Sequence, residues 1–386
     1  MHNFPFWKLL ETWMFQEILA FAYFSEYTVS YGSGIVSTPF NIIQKTEVPI
    51  CMTIKDLSAQ TGYSVGTVSR VLNNQPNVSE KARMVILDAA SKCGFQLNAN
   101  AKQLKQQHSN AILIVVKGTS NELFSSLVEA MQSRMVDEPQ SLVVDYLDED
   151  ANEVLRALQL CREKKPLGIL FLGGNRDHFL ADFDKIHVPC VLVTNDASGL
   201  SFPNLSSVSS DNFEAARIAI DHLVSLGHRK FVLIGGDRET SDTTKLRYEG
   251  CMEAFRNHGI SFDGELDYEA VRFSFAGGYQ AAKNLLQRGR DFTVIFAMAD
   301  IMAIGAIRAL RDAGLRVPED VSVMGFDGLL IGSYTVPTLT TVRQSAEELA
   351  GRSIATLLEN IESLQEPRYE TVPITVLDRE SARKIN

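Results

Sequence analysis

From Ala111 onwards the chain alternates short apolar runs with amphipathic segments, and no other feature constrains its fold as strongly. Apolar runs bounded by turn residues predict buried parallel strands, and the segments between them predict connecting helices. The predicted strands are Ala111–Val116, Ser141–Tyr146, Gly168–Leu172, Cys190–Thr194, Phe231–Gly235, Val294–Ala297 and Val321–Gly325. The predicted helices are Asn121–Val136, Ala151–Glu163, Asn212–Leu226, Leu246–His258, Gly277–Leu286 and Asp300–Ala313. This order predicts doubly wound α/β lobes that bind a ligand outside the carboxyl ends of the strands.

The segment after Thr53 has a different, all-α pattern. Gly62 supplies a turn between two short helices, and Ser64 is a suitable N-cap for the second, Val65–Leu72. A third helix is expected after Ser79, with Gly94 at its end. The apolar stripe expected for this third helix comprises Ala82, Val85, Ile86, Ala89 and Ala90. Two short helices joined by a glycine turn predict a helix-turn-helix DNA-binding domain.

The charge distribution agrees with that prediction. The whole chain has a net charge of −10, but residues 52–111 carry seven basic side chains against three acidic ones, a net charge of +4. Residues 112–386 carry a net charge of −12. A basic module on an acidic body is typical of a protein that contacts phosphates through one end only.

Residues 1–51 are unlike the rest of the chain, because both tryptophans and many other aromatic residues are concentrated there. The apolar stretch Ile18–Phe24 is much shorter than the ~20 residues of a membrane span, and no signal-peptide pattern accompanies it. Three explanations remain open: translated upstream sequence with the biological start at Met52, a disordered or weakly helical arm, or a helix that binds a membrane surface or a partner.

No pattern in the sequence predicts an enzyme. The five cysteines are scattered without a Cys-x-x-Cys pair, which argues against a zinc site and fits a reducing compartment. The glycine pairs Gly173-Gly174 and Gly235-Gly236 complete neither dinucleotide-binding nor P-loop motifs. We therefore expect no catalytic residues, no metal and no cofactor.

The run from Val65 to Asn73, VGTVSRVLN, resembles the recognition-helix signature of the lactose-repressor (LacI/GalR) family, and the resemblance extends from Thr53 to the C-terminus. It implies that Val65, Gly66 and Arg70 face operator bases, with Arg70 at a guanine edge. It implies phosphate or positioning contacts for other residues of the same module. These residues are Thr53, Ser64, Thr67, Ser69 and Asn73.

Residues 98–105 resemble the family's hinge segment, which becomes helical on operator DNA. The resemblance implies DNA contacts by Asn98, Ala101 and Lys102, and a wedge formed by Leu104 in the minor groove. Leu97 departs from the family, which most often has proline at that position.

The body resembles the family's two-lobed, periplasmic-binding-protein-like effector domain. LGHRKFVLIGG (Leu226–Gly236) and VPEDVSVMGFD (Val317–Asp327) carry the resemblance. It implies that Arg247 and Asp327 hydrogen bond to the ligand and that Phe273 stacks on it.

Several positions that the resemblance places in the ligand site depart from the family. Ala299 replaces a frequent asparagine, and Thr194 replaces an aspartate at the end of its strand. Lys117 and the segment that ends at Phe124 replace the more usual residues of the first lobe. These departures suggest the hypothesis of an anionic or less hydroxyl-rich ligand.

The sequence as a whole predicts a cytoplasmic, homodimeric repressor of a carbohydrate-related operon. Its partners would be palindromic double-stranded operator DNA and a sugar or related effector, and it would not associate with a membrane. The expected divisions are a spurious or disordered extension (1–51), a DNA-binding headpiece (52–97), a hinge helix (98–110) and a ligand-binding and dimerisation domain (111–386). The alternative is a solute-binding protein of the periplasmic type without a DNA function, but it leaves residues 53–105 unexplained.

Overall fold

The computed structural model describes residues 53–72, 78–93, 110–289, 291–363 and 365–385. The chain divides into two compact units, residues 1–98 and residues 99–386. Within the described ranges, no helix has both the length and the apolar character needed to cross a bilayer.

The described part of the first unit consists of three helices, α1 (Ile54–Thr61), α2 (Val65–Leu72) and α3 (Glu80–Lys92). α1 begins with a capping box between Thr53 and Asp56 and ends at Gly62, whose φ of 73° is accessible to glycine without strain. The small core consists of Leu57, Val68, Val71, Ala82, Ile86 and Ala90. The expectation that Val85 faces this core is wrong: Val85 is 40% exposed, because the buried positions of α3 recur every four residues and leave Val85 beside that stripe.

The first lobe of the second unit is built around a six-stranded parallel sheet in the order β11-β5-β4-β3-β1-β2. The strands are β1 (Ala111–Lys117), β2 (Ser141–Leu147), β3 (Gly168–Leu172), β4 (Cys190–Val193), β5 (Leu205–Ser209) and β11 (Tyr369–Thr371). The helices of this lobe are α4 (Glu122–Arg134), α5 (Glu153–Lys164), α6 (Arg176–Asp182) and α11 (Ala346–Glu362).

The second lobe has a sheet in the order β12-β10-β9-β8-β6-β7, and among its described strands only the β10–β12 pair is antiparallel. The strands are β6 (Phe231–Gly235), β7 (Tyr268–Ala270), β8 (Val294–Ala297), β9 (Ser322–Asp327), β10 (Thr340–Gln344) and β12 (Ile374–Leu377). The helices are α7 (Asn212–Ser225), α8 (Asp242–Asn257), α9 (Phe275–Gln287) and α10 (Asp300–Asp312).

The chain passes between the two lobes three times: between β5 and α7, between β10 and α11, and between β11 and β12. In both sheets the strand order reverses around the first strand of the lobe, so the ligand crevice is expected at the carboxyl ends of these strands.

The predicted α/β architecture and the seven predicted strands are confirmed, as are the six predicted helices of the body, within a few residues at their ends. Sequence reasoning missed β5 and β10 because they are buried but polar, with sequences LSSVS and TTVRQ. It also missed α6 and α11 and the short strands β7, β11 and β12. The prediction that Thr194 belongs to β4 is wrong, because its φ of 76° ends the strand at Val193.

Candidate DNA interface and ligand cleft

Helix α2 presents one apolar face to the core of the first unit and one exposed face outward. Val68 and Val71 are buried, whereas Val65, Gly66 and Arg70 are exposed. Gly66 and Arg70 are four residues apart and therefore lie on the same side of the helix. All three positions expected to read bases are thus accessible, and two of them, Gly66 and Arg70, lie on one side of the helix.

The hydroxyls of Thr53 and Ser64 hold the ends of helices. Ser64 Oγ accepts a hydrogen bond from the Thr67 amide at 3.2 Å and lies 3.0 Å from Thr67 Oγ1. The predicted N-cap of α2 is therefore confirmed, and capping accounts for both hydroxyls. Ser69 is half-buried on the same helix. The remaining residues expected at the DNA interface, Asn73, Asn98, Ala101, Lys102 and Leu104, lie outside the described residues.

A cleft of about 920 Å³ lies between the two lobes of the second unit, at the carboxyl ends of β1, β3, β4, β6 and β9. Of the six residues expected to bind the ligand, five line it: Lys117, Phe124, Arg247, Phe273 and Asp327. Ala299 does not, because it is 1% exposed at the N-cap of α10.

Arg247 and Asp327 form a buried ion pair at the floor of the cleft. Arg247 Nη2 lies 3.9 Å from Asp327 Oδ1, and the guanidinium stacks 3.7 Å from the centre of the Phe326 ring. Burial raises the pKa of Asp327 to about 6, although Arg247 and a hydrogen bond from Gln344 oppose the rise. Burial lowers the pKa of Arg247 to about 10. Each group favours the charged form of the other, so the two charges offset each other at the floor of the cleft.

Both lobes place a strained residue at the same point of their sheets. Thr194 follows β4 with a φ of 76°, and Asp327 ends β9 with a φ of 116°. Each occupies the equivalent place in its lobe, and both line the cleft. Left-handed backbone at non-glycine residues is energetically unfavourable and concentrates at ligand sites.

Glycines make room for the two aromatic rings of the cleft. A Cβ atom on Gly173 would lie 3.0 Å from Phe124 Cζ, and one on Gly236 would lie 2.6 Å from Phe273 Cε2. A side chain at Gly236 would therefore displace the Phe273 ring. Phe124 belongs to the first lobe and Phe273 to the second, so each lobe contributes one ring that a ligand can contact.

Sequence reasoning missed the partners of Lys117. Its ammonium group lies 2.7 Å from Glu153 Oε2, and the same oxygen is 2.9 Å from His178 Nδ1. Glu153 is fully buried. The available signal was its spacing of four residues from the buried Ala157, which places a carboxylate on the apolar stripe of α5.

Hydrogen bonds and ion pairs join the two lobes at two places around the cleft. Arg272 of the second lobe contacts three consecutive carboxylates of the first, Asp148, Glu149 (2.6 Å) and Asp150 (2.8 Å). Elsewhere, Asn175 Nδ2 donates to the Thr240 carbonyl at 3.0 Å, and the Arg176 amide donates to Asp242 at 2.8 Å. The lobes therefore adopt a closed arrangement.

Two family models match the chain. Residues 53–98 match the bacterial regulatory proteins of the lacI family, and residues 220–382 match a periplasmic binding protein-like domain. The chain is 31% identical to the HTH-type transcriptional regulator MalR of Clostridium butyricum over 339 residues, which cover 86% of this chain and 100% of that protein.

Solved structures with the same architecture match this chain over almost the whole of their own length. The transcriptional regulator CelR in complex with cellobiose matches with a TM-score of 0.63 and 26% identity, over 86% of this chain and 99% of that one. The lac repressor dimer bound to operator and an anti-inducer matches with a TM-score of 0.69 at 24% identity and the same coverage, a likeness of fold alone.

Proposed function

Since this chain belongs to the lacI family of bacterial regulatory proteins, we propose that it represses transcription by binding operator DNA. A small molecule that occupies the cleft lowers or raises its affinity for the operator. The observation that carries the proposal is the presence in one chain of a basic helix-turn-helix unit and a two-lobed unit with a polar cleft. As a ligand-responsive transcription regulator, the protein is not an enzyme. It acts in the cytoplasm, where the DNA is.

At the DNA, Arg70 donates to a guanine in the major groove, and Val65 and Gly66 face neighbouring bases. Gly66, which has no side chain, also lets α2 approach the bases closely. Other residues of the module contact phosphates of the DNA backbone or set the register of the protein on the duplex. These residues are Thr53, Ser64, Thr67, Ser69 and Asn73. The hinge, residues 98–110, contributes Asn98, Ala101 and Lys102, with Leu104 as the minor-groove wedge. The headpiece is residues 52–97, and the ligand-binding domain is residues 111–386.

The active form is a homodimer, because one recognition helix reads only half of a palindrome. The second lobe carries an exposed apolar segment suited to such an interface. Leu330, Tyr334 and Val336 are strongly exposed within seven residues of one loop, and clusters of this kind mark protein–protein contacts.

The effector is a sugar or related metabolite. Two aromatic rings combined with hydroxyl, amide and charged groups suit a ligand that is apolar on its ring faces and polar at its edges. The likeness to CelR, whose structure contains cellobiose, supports this class. The proposed contacts are Lys117, Phe124, Arg247, Phe273 and Asp327. Ala299 is buried at the N-cap of α10, beneath the residues that line the cleft.

The test is selection of DNA sites from a random library with protein begun at Met52. Enrichment of a palindrome with a central step that kinks easily is expected. The selection is repeated with a mixture of sugars, which should change the amount of DNA retained. A protein that enriches no sequence with or without sugars, yet binds a sugar, would instead be a solute-binding protein.

A further inference from the structure

The wall that the first lobe contributes to the cleft contains a buried carboxylate with three hydrogen-bond donors. Glu153 Oε2 accepts from Lys117 Nζ at 2.7 Å and from His178 Nδ1 at 2.9 Å, and Oε1 accepts from the Asn175 amide at 2.6 Å. An ionised carboxylate only accepts, so Nδ1 carries the ring proton of His178. With a single proton on the ring, at Nδ1, the other nitrogen, Nε2, is an acceptor.

Lys117 and His178 both face the cleft, with side chains 12% and 26% exposed. Two of the three N–H bonds of Lys117 are used by Glu153 and by the carbonyl of Ala151. Among the described residues, no hydrogen bond is found for the third N–H or for His178 Nε2. The wall therefore presents one donor and one acceptor, both oriented by the same carboxylate.

The charges around the cleft disfavour an anion. Glu153 neutralises Lys117, and Asp327 neutralises Arg247. Arg272 already contacts three carboxylates, and Asp237 adds a further negative charge to the lining. The hypothesis of an anionic ligand depended on the loss of acidic acceptors and on Lys117 as an added cation, and the ion pair with Glu153 removes the second reason.

We propose that Lys117 and His178, positioned by Glu153, recognise an uncharged hydroxyl group of the effector. A hydroxyl accepts from Lys117 Nζ and donates to His178 Nε2 at the same time. A phosphate or carboxylate only accepts, so it leaves Nε2 without a partner and is repelled by the acidic lining. The effector is therefore a compound with an uncharged hydroxyl group at this position rather than its phosphorylated or carboxylated derivative. This inference rests on the proposed function, because it assumes that the cleft is the effector site.

The experiment is calorimetric titration of the full chain with ribose, galactose, maltose and cellobiose and with the phosphate esters of these sugars. The uncharged form of the bound sugar should bind more tightly than its ester. His178→Ala should weaken that binding by about 10- to 100-fold, as expected when a buried hydroxyl loses its acceptor. His187→Ala, which alters an exposed histidine of the same lobe, is the matched control.

Glu153→Gln distinguishes recognition of the ligand from a purely structural role of Glu153, because a structural role would not change the ratio of ester to sugar affinity. It leaves the Lys117 charge uncompensated, so the ratio of ester to sugar affinity should rise by about tenfold. Glu163→Gln, at an exposed position of α5, should leave the ratio unchanged. If Glu153→Gln does not fold, His178→Ala alone decides, because His178 is partly exposed.

Three results would overturn the inference. An unchanged affinity of His178→Ala for the bound sugar would overturn it while leaving the proposed regulator in place. Tighter binding of a phosphate ester by the unaltered protein would overturn it while leaving the proposed regulator in place. Binding of neither form, in a protein that still selects a DNA palindrome, would remove the sugar effector from the proposed function, and the inference with it.

Discussion

Gln344 donates a 2.9 Å hydrogen bond from Nε2 to Oδ1 of Asp327 and so joins a crossover between the lobes to the floor of the cleft. Arg247, the ion-pair partner of Asp327, is held in the same way: its Nε donates to Asn212 Oδ1 at 2.9 Å, directly after another crossover. A ligand that contacts Arg247 or Asp327 therefore acts on groups bonded to the segments about which the lobes turn.

Gln344→Met should weaken the coupling between effector and operator. Methionine keeps the length of the side chain but removes the donor to Asp327, a loss of about 1 kcal/mol. The ratio of operator affinities with and without effector should shrink by about fivefold, measured by fluorescence anisotropy with labelled operator. Gln280→Met, an exposed change on α9, should leave the ratio unaltered. An unchanged ratio in Gln344→Met would show that this crossover does not transmit the signal.

Arg272→Ala should favour opening of the lobes, because it removes three ion pairs across the cleft. Effector affinity should fall by roughly 3- to 10-fold at low salt, and by less in high salt, since exposed ion pairs are screened. Calorimetry at two salt concentrations measures both effects. Arg308→Ala, which breaks a pair with Asp312 within α10, is the control. A loss of affinity that persists undiminished at high salt would contradict the ion-pair explanation.

His228 should make folding stability depend on pH. It is fully buried, and its ring lies 2.8 Å from Thr293 Oγ1 and 3.2 Å from the carbonyl of Arg383. Burial lowers its pKa from 6.5 to about 4, so between these values the unfolded chain binds the proton more readily. The free energy of unfolding therefore rises with pH across this window. The contribution of His228 should grow by roughly 3 kcal/mol from below pH 4 to above pH 6.5.

The measurement for His228 is urea unfolding of the unaltered protein and of His228→Gln at a series of pH values. Asp327 acts in the opposite sense, because its raised pKa makes its contribution fall as pH increases from about 4 to about 6. Subtracting the free energy of unfolding of His228→Gln from that of the unaltered protein at each pH cancels the contribution of Asp327. A difference that is flat between pH 4 and pH 6.5 would contradict the assignment.

Arg70→Ala should cost about 1–3 kcal/mol of specific binding and relax base preference at one position of each half-site. The reason is the loss of the guanine contact from the exposed face of α2. Competition binding with single-base operator variants measures the preference. Lys92→Ala, at the end of α3 where Asp88 already pairs with the lysine, should leave base preference intact. Full discrimination by Arg70→Ala would mean that other residues read the bases.

The order of strands and helices could be predicted because apolar periodicity reports burial directly. Ile114, Leu170 and Val232 are fully buried, as their apolar runs indicate. Periodicity does not recognise a buried polar strand such as β10, in which the Thr341 hydroxyl donates to Asp300. It also does not recognise partners that lie far apart in the sequence.

The candidate ligand site shows the same limit. Position-by-position resemblance placed Arg247, Phe273 and Asp327 at the cleft, and the structure brings all three there. It also suggested Ala299, although an alanine at a helix N-cap has no side chain long enough to reach the cleft. The carboxylate that neutralises Lys117 is 36 residues away along the chain, so only the fold reveals the pair.

The three passages between the lobes determine the order in which the protein can be assembled during translation. The sheet of the first lobe lacks its edge strand β11 and the helix α11, which packs on β3, β4 and β5, until residues 346–371 have been synthesised. Almost the whole second lobe has by then left the ribosome. Any chain that stops before Ala346 therefore carries an unfinished first lobe, and neither half of the sensor can be expressed as a contiguous fragment.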